Sequence, residues 1–319
     1  MFHTVGSPLS WGLFLLGFFI ILALDLGVFN RKPHRVTMGE ALRWSIVWVS
    51  LSLAFNGYVY AAFGQEKALE FMSAYFIEEA LSVDNIFVFV VLFRYMKVPA
   101  EYLHRVLFAG ILGALILRGI FIFAGLAIIE RLHSSLYVFG AFLLITGIKM
   151  WWFADEKPDL AQNPAIRWIR RHMNVTDNLH GERFFVLRNQ GSRMVRYATP
   201  LLLVLILVEL SDLIFAVDSI PAIFAITTDP FIVLTSNVFA ILGLRAMYFL
   251  LADMADRFTL LKYGLAIVLM FIGVKMLLID LYPIPVLLSL GVVAAIIGTS
   301  IVLSLRQRDT RQKLADEAS

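Results

Sequence analysis

The sequence contains no cysteine, and only 16% of its 319 residues are charged. The lack of cysteine excludes disulfide frameworks, thiolate metal sites and CxxC redox pairs. The low charge accompanies 60% hydrophobic residues and a mean hydropathy of +0.81, whereas a soluble domain is about half apolar and a quarter charged. The surplus of apolar residues predicts an all-α polytopic membrane protein that is surrounded by the lipid bilayer.

Nine stretches of the chain are long and apolar enough to cross the hydrocarbon core, which takes about 20 residues in a helix. They are residues 11–29, 44–63, 71–93, 106–129, 136–153, 199–226, 231–251, 260–279 and 285–305. We expect residues 1–319 to form one transmembrane domain, with a polar loop at 154–198 and a polar tail at 306–319. The first stretch lacks a basic leader and a cleavage site, which favours a retained helix.

Lysine and arginine are concentrated on one side of the predicted membrane. With the N-terminus outside, 21 of them lie in the loops and tail on one side, and only Lys67 and Arg131 lie on the other. Because cytoplasmic loops are enriched in these residues, the bias predicts a bacterial inner-membrane protein with a periplasmic N-terminus and a cytoplasmic C-terminus. The pI of about 9.1 therefore does not indicate a nucleic-acid partner.

Two groups of three spans resemble each other, at residues 71–153 and 199–280. Glu78 and Asp84 in the first group align with Asp212 and Asp218 in the second. The other matching landmarks are the pairs Arg118 and Arg245, Tyr137 and Tyr263, Lys149 and Lys275, and Met150 and Met276. Because three is an odd number, the second group enters the membrane from the opposite side. The sequence thus predicts an inverted repeat, which is typical of secondary transporters.

Oxygen-bearing side chains lie at matching depths in the third and sixth spans. Each intramembrane charge costs about 2.5–3.5 kcal/mol on insertion scales, so such residues usually line a pathway or bind a ligand. The residues are Glu78, Glu79, Ser82, Asp84, Asn85, Glu209, Ser211, Asp212, Asp218 and Ser219. Hard divalent cations prefer oxygen ligands, and the six histidines fall in predicted loops or termini. Asp25, near the inner end of the first span, is a further intramembrane acid whose role stays open.

The geometry of a regular helix does not bring the two acids of one span to the same side. Positions six apart, such as Glu78 and Asp84, are about 240° apart around an ideal helix and do not share a face. We therefore expect a bend or an unwound turn. Pro221 supplies one in the second repeat because it cannot donate to the carbonyl of Val217, whereas the first repeat has no matching proline.

An alternative is that these acids are purely structural. Their partners would be the intramembrane bases Arg118, Arg245, Lys149 and Lys275. The lysines lie near helix ends and could extend to the interface instead. Six deep acids against four bases leave a deficit of two positive charges, which a divalent cation or two protons would balance.

The motifs resemble those of the TerC family and, within it, the Alx-like subgroup. The likeness covers nearly the whole chain and is strongest at residues 78–89, 207–225 and 229–251. The resemblance implies a LysE-type superfamily fold and, for Alx-like members, manganese export with induction at alkaline pH. The resemblance also implies a set of candidate metal ligands. By position they are Glu78, Asp84, Asn85, Glu209, Asp212, Asp218 and Ser219.

The predicted function is therefore export of a divalent cation, coupled to protons, by a protein that is not an enzyme and holds no cofactor. Mn²⁺ is the expected substrate, with Ca²⁺ and Mg²⁺ as alternatives. An exporter of a small organic solute and a non-transporting stress-response factor, labelled a redox modulator, also remain open. Six buried acids suit a cation better than a zwitterion, and a chain without cysteine has no evident electron carrier. The oligomeric state is left open.

Overall fold

The computed structural model describes residues 4–24, 36–132, 134–153, 171, 173–176, 178–190, 193–252, 260–282 and 284–317. Within these residues there are nine helices: α1 (Pro8–Leu24), α2 (Met38–Phe63), α3 (Gln65–Tyr95), α4 (Ala100–Arg131), α5 (Ser135–Trp152), α6 (Pro200–Phe224), α7 (Pro230–Ala252), α8 (Leu261–Leu277) and α9 (Val286–Glu317). Two strands, β1 (Phe185–Gln190) and β2 (Arg193–Ala198), lie between α5 and α6. Each helix overlaps one predicted span, so the helical fold class is confirmed. Asp25 lies outside the described residues.

Six of these helices, α2, α4, α5, α6, α7 and α9, are long and apolar enough to cross a membrane. The helices α1 and α8 have 17 residues each, and the 31-residue α3 carries acidic residues along its length. Large apolar side chains point away from the bundle. Ile116, Val138, Ile145 and Ile214 are 65–67% exposed, as expected of side chains that face lipid.

The helices α5 and α8 pack backbone against backbone through glycines. A Cβ atom on Gly273 would lie 2.6 Å from Leu144 N and 2.8 Å from Gly140 O. A Cβ atom on Gly147 would lie 2.8 Å from Ala266 O. Small residues let membrane helices approach this closely. The resulting α5–α8 pair contacts α3 and α6 and supplies one wall of the site described below.

The remaining helices surround α3 and α6. The helix α3 packs against α6 and α7, and α4 packs against α6 and α7. The helices α1 and α2 lie against α7 through an aromatic cluster of Phe14, Phe55, Phe231 and Phe239. The helix α9 lies against α8 and α3. The three helices outside the predicted repeat thus lie at the edges of the bundle.

The long polar segment between α5 and α6 contains a β-hairpin, which the sequence analysis did not predict. Strands β1 and β2 are antiparallel, with Leu187 opposite Arg196. The guanidinium of Arg196 lies over the ring of Phe185, 3.7 Å from its centroid, in a cation–π contact. Residues 154–170 of the predicted loop lie outside the described residues, and α9 continues as a helix through most of the predicted tail.

Neither α3 nor α6 is interrupted near the acidic residues. The helix α6 is continuous from Pro200 to Phe224, with Pro221 in its last turn. The carbonyl of Pro221 itself accepts a hydrogen bond from Ala225 N at 3.2 Å. A proline this close to the end of a helix removes one backbone bond without disrupting later turns. The expected unwound turn is therefore absent from α3 and α6.

Candidate functional site

Arg118 on α4 joins acidic residues from two other helices. Its Nε and Nη2 atoms donate to Asp212 Oδ2 and Oδ1 at 3.0 and 2.7 Å, and its Nη1 is ion-paired with Glu78 Oε1. All three residues are at most 3% exposed. Buried charges are tolerated only when they are paired and hydrogen-bonded, and a bidentate arginine–carboxylate pair meets that need.

Two weaker hydrogen bonds cross between α3 and α6. Asn85 Nδ2 donates to Asp212 Oδ1 at 3.4 Å, and Ser219 Oγ donates to Glu78 Oε1 at 3.5 Å. Each bond joins the acid of one helix to a small polar residue of the other. In the sequence alignment Glu78 matches Asp212 and Asn85 matches Ser219, so the two bonds occupy equivalent positions.

A cavity of about 40 Å³ lies beside these contacts. The carboxylates of Glu78, Asp84 and Asp218 line it, together with Asn85 and Ser219. Asp84 and Asp218 are close enough for their charges to interact. The rest of the wall consists of Arg118, Leu81, Met150, Phe215 and Leu269. Because one water molecule takes about 30 Å³ in the liquid, the cavity has room for a single ion or water.

Three oxygens of the lining residues have no hydrogen-bond partner among the described residues: Glu78 Oε2, Asn85 Oδ1 and Asp218 Oδ1. The residues Glu78 and Asn85 are only 0% and 1% exposed. An unsatisfied buried polar group costs about 1–3 kcal/mol, so most are satisfied by protein or water. A cation or ordered water in the cavity would satisfy such oxygens.

An unbroken α3 can still place Glu78 and Asp84 on the same cavity. Their separation of 240° around the helix equals 120° in the other direction. The two side chains therefore flank the face of α3 that contacts α6, and the cavity lies between them. A bend is unnecessary because α6 and α5 close the cavity from the other sides.

Two further glutamates, Glu209 and Glu79, lie away from the cavity. Glu209 on α6 packs onto α4, where a Cβ atom on Gly113 would overlap its carboxylate. Glu79 on α3 lies near Gly243 on α7 and accepts a hydrogen bond from Tyr75 Oη at 3.2 Å. Both glycines make room for a buried carboxylate at a helix contact.

The structure thus brings together five of the seven predicted ligands at the cavity. Asp212 lies next to them but is bonded to Arg118, and Glu209 is separate. Within the described ranges, no group of three histidine, cysteine, aspartate or glutamate side chains is arranged to hold a metal ion. In this conformation the carboxylates of Glu78 and Asp212 are ion-paired with Arg118.

The other predicted charge-balancing bases have different surroundings. Arg245 and Lys275 are buried, and Lys149 is exposed. Neither lysine forms an ion pair with a carboxylate in the part of the chain that the structure describes. Lys262, in the first turn of α8, interacts electrostatically with Asp84. Lys262 lies at the start of the predicted span 260–279 and was not among the predicted charge-balancing bases.

Sequence analysis also missed that α5 contributes to the site. Met150 lines the cavity, and the Thr146 side chain lies close to Asp218. The available signal was the Lys-Met pair that occurs at matching positions of the two groups of spans. Methionine in an apolar helix is usually a packing residue, so the pair alone did not indicate a site.

Larger cavities with polar walls lie at opposite ends of α3. One has a volume of about 570 Å³ and is lined by residues that include Lys67, Glu70 and Asp229. The other has about 580 Å³ and is lined by residues that include Lys97 and Thr176. The carboxylate cavity is near the middle of α3, between the two ends.

Comparison with known proteins identifies the family. Residues 63–312 match the "Integral membrane protein TerC family". The chain is 52% identical over 311 residues to the "Putative membrane-bound redox modulator Alx" of Escherichia coli (strain K12), covering 95% of this chain and 96% of that protein. It is 53% identical over 304 residues to "Uncharacterized membrane protein STKORF319" of Myxococcus xanthus, covering 95% and 94% of the two chains. An uncharacterized membrane protein of Rickettsia bellii (strain RML369-C) is 40% identical over 301 residues, covering 94% and 98%. No solved structure matches. With a family match over most of its length and several apolar helices, the chain belongs to the TerC family of integral, multi-pass membrane proteins.

Proposed function

We propose that this protein exports a divalent cation across the bacterial inner membrane, with Mn²⁺ as the substrate and protons moving in the opposite direction. The observation that carries the proposal is the cavity of about 40 Å³ lined by Glu78, Asp84 and Asp218. Three carboxylates around a space for one ion match the ligand preference of hard cations. The protein acts as a transporter and not as an enzyme.

The size of the cavity weighs against an organic solute. Sites for small molecules usually measure about 300–1,000 Å³, whereas this cavity holds about 40 Å³. A zwitterionic solute would also need an arginine for its carboxylate, and Arg118 is already bonded to Glu78 and Asp212. The redox label of the relatives gains no support, because the chain has no cysteine and no motif for a redox cofactor.

Charge balance supports a cation as the substrate. Arg118 balances Glu78 and Asp212 only in part, since one guanidinium faces two carboxylates. Asp84 and Asp218 add two more acids at the cavity, with Lys262 as a basic neighbour. A divalent cation would supply the missing positive charge. When the cation is absent, we propose that Arg118 neutralises part of the negative charge by pairing with Glu78 and Asp212.

Equivalent contacts support the proposed inverted repeat of α3–α5 and α6–α8. Exchanging the repeats converts the Asn85–Asp212 hydrogen bond into the Ser219–Glu78 hydrogen bond, and their lengths are 3.4 and 3.5 Å. A related exchange holds between α5 and α8. The contact of Gly147 with Ala266 becomes the contact of Gly273 with Gly140. Such pseudo-symmetry is typical of folds in which one half rocks against the other around a central site.

The proposed path runs along α3. Asp84 is 11 residues, or about 16 Å, from the end of the helix at Tyr95. Glu78 is 8 residues, or about 12 Å, from Glu70, which lines the polar cavity near the other end of the helix. The polar cavities at these ends are candidate vestibules. Rocking of the repeats would open the central cavity to one vestibule at a time, as expected of a LysE-type superfamily member.

The proposed orientation follows the distribution of basic residues. It places the N-terminus and the Thr228 turn in the periplasm, and the β-hairpin and α9 end in the cytoplasm. The structure is compatible with this, because Thr4 and Thr228 line the cavity at one end of α3, and Lys97 lines the cavity at the other. The cation would enter near Lys97 and leave near Asp229.

The proposal is tested by transport into inverted membrane vesicles that contain the purified or overproduced protein. The variants D84N and D218N remove a cavity carboxylate while keeping the side-chain shape. We expect each to abolish Mn²⁺ accumulation. E182Q is the matched control, because Glu182 is paired with Arg105 near the hairpin, away from the cavity. Parental transport rates in D84N and D218N, at equal protein levels, would show that these carboxylates are not ligands.

A further inference from the structure

The helix α5 brings a methionine to the carboxylate cavity. Met150 lines the cavity, and one turn earlier the Thr146 side chain lies close to Asp218. Residues four apart lie on the same face of a helix. Two separate observations therefore place this face of α5 towards the acidic residues, with a hydroxyl and a thioether in neighbouring positions.

The thioether of Met150 is a soft ligand, whereas the other uncharged and acidic polar groups of the cavity wall are hard oxygen ligands. Carboxylate, amide and hydroxyl oxygens suit Mg²⁺, Ca²⁺ and Mn²⁺, whereas a thioether favours softer transition metals. The cavity measures about 40 Å³, so an ion inside it lies close to the wall that Met150 helps to form. The apolar residues Leu81, Phe215 and Leu269 occupy the remaining wall and offer no side-chain ligand that competes with the sulfur.

We propose that Met150 is a specificity-determining residue, whose thioether sulfur contacts the transported cation and favours a transition-metal ion over Ca²⁺ and Mg²⁺. This inference rests on the proposed function and narrows its substrate class. Oxygen ligands alone would admit all three hard cations. Mn²⁺ is the transition metal among the three and accepts a thioether more readily than Mg²⁺ or Ca²⁺ does, so one sulfur ligand among the oxygens would favour Mn²⁺.

The equivalent methionine in the second repeat has another role. Met276 on α8 is 0% exposed, and its Cβ would lie 2.9 Å from a Cβ atom on Gly140. It is not among the residues that line the cavity. Met276 therefore packs the α5–α8 contact, while Met150 faces the cavity.

The variant M150L removes the sulfur and nearly keeps the side-chain volume, a kind of exchange that usually costs less than about 1.5 kcal/mol in a core. The matched control is M270L. Met270 also lies at the α5–α8 contact, where its Cγ would be 2.8 Å from a Cβ atom on Gly147, but it does not line the cavity. A packing effect would appear in both variants, whereas loss of a ligand would appear only in M150L.

The test compares Cd²⁺ and Ca²⁺, which have similar radii and differ in softness. Binding of each ion to the full-length protein in detergent is measured by titration calorimetry. We expect the parent and M270L to prefer Cd²⁺, and the Cd²⁺-to-Ca²⁺ affinity ratio of M150L to fall about tenfold through loss of Cd²⁺ affinity. An unchanged ratio in M150L overturns the role of Met150 while leaving cation transport intact. Failure of the parent to bind any divalent cation overturns the proposed function as well.

X-ray absorption of bound Cd²⁺ supplies a second measurement that needs no variant. The chain has no cysteine, so a sulfur neighbour of the ion must come from methionine. We expect one sulfur neighbour in the parent and in M270L, and only oxygen neighbours in M150L. A parent spectrum with only oxygen neighbours overturns the inference, even if M150L does not fold.

Discussion

Arg118 and Asp212 are joined by two hydrogen bonds, from Nε at 3.0 Å and from Nη2 at 2.7 Å, across the contact of α4 with α6. Arg118 belongs to the first predicted repeat and Asp212 to the second. The same guanidinium pairs with Glu78 on α3, so three helices meet at one buried charge. The site therefore has its own counter-charge, with which the proposed cation would compete.

Removing Arg118 should strongly destabilise the protein. R118Q would leave Glu78 and Asp212 buried without a counter-charge, which typically costs about 3–5 kcal/mol. R105Q is the control because Arg105 forms an exposed ion pair with Glu182 at 3.0 Å, and exposed pairs contribute about 0–1 kcal/mol. Thermal unfolding in detergent should show a much lower Tm for R118Q alone. Similar Tm values for both variants would mean that the buried pairs contribute little.

Sequence reasoning located the helices because long apolar runs are a strong signal. It also found the intramembrane acids Glu78, Asp84 and Asp218, which line one cavity. It failed where contacts between helices decide the outcome. Whether Glu209 faces the cavity or packs onto Gly113 depends on how α4 lies against α6, and no local pattern in α6 contains that information.

Two other errors have different physical causes. The hairpin was missed because β1 and β2 are short and carry charged residues, so their pattern resembles an ordinary polar loop. An unwound turn at Pro221 was expected from the lost backbone bond alone. The proline lies in the last turn of α6, where the helix is about to end and the lost bond has little consequence.

The close α5–α8 contact should not tolerate a methyl group. In G273A the new Cβ would lie 2.6 Å from Leu144 N and 2.8 Å from Gly140 O, both of them backbone atoms that cannot move independently. We expect a loss of about 1–3 kcal/mol from overpacking. G298A is the control because nothing lies within 4 Å of its new Cβ, and alanine is a better helix former by about 1 kcal/mol.

The measurement is again thermal unfolding in detergent, with both variants prepared identically. We expect Tm to fall for G273A and to stay the same or rise for G298A. A stable G273A would mean that α5 and α8 separate more easily than their glycine contacts indicate.

Membrane orientation can be read from single cysteines, since the parent chain contains none. Thr228 and Leu187 are both exposed, and Leu187 has 62% of its surface accessible. The proposed orientation places Thr228 in the periplasm and Leu187 in the cytoplasm. In intact cells, a membrane-impermeant thiol reagent should label T228C and leave L187C unlabelled until the membrane is opened. The reverse pattern would invert the topology and turn the proposed exporter into an importer.

Proton coupling should follow from the carboxylates that line the cavity. A metal ligand must be deprotonated, so protons and cations compete for the oxygens of Asp84 and Asp218. On the acidic periplasmic side, protonation would favour cation release. The protonated carboxylates would then return to the cytoplasmic side without leaving buried, uncompensated charge.

We therefore expect a pH gradient to drive metal movement in inverted vesicles, whose interior corresponds to the periplasm. Mn²⁺ accumulation should be fastest with an acidic interior and slow when a protonophore collapses the gradient. Protons should leave the vesicles as the metal enters, and neither flux should occur in D84N. Equal Mn²⁺ accumulation with the gradient present, collapsed or reversed would exclude proton antiport, because a carrier that exchanges protons for metal cannot be indifferent to the proton gradient.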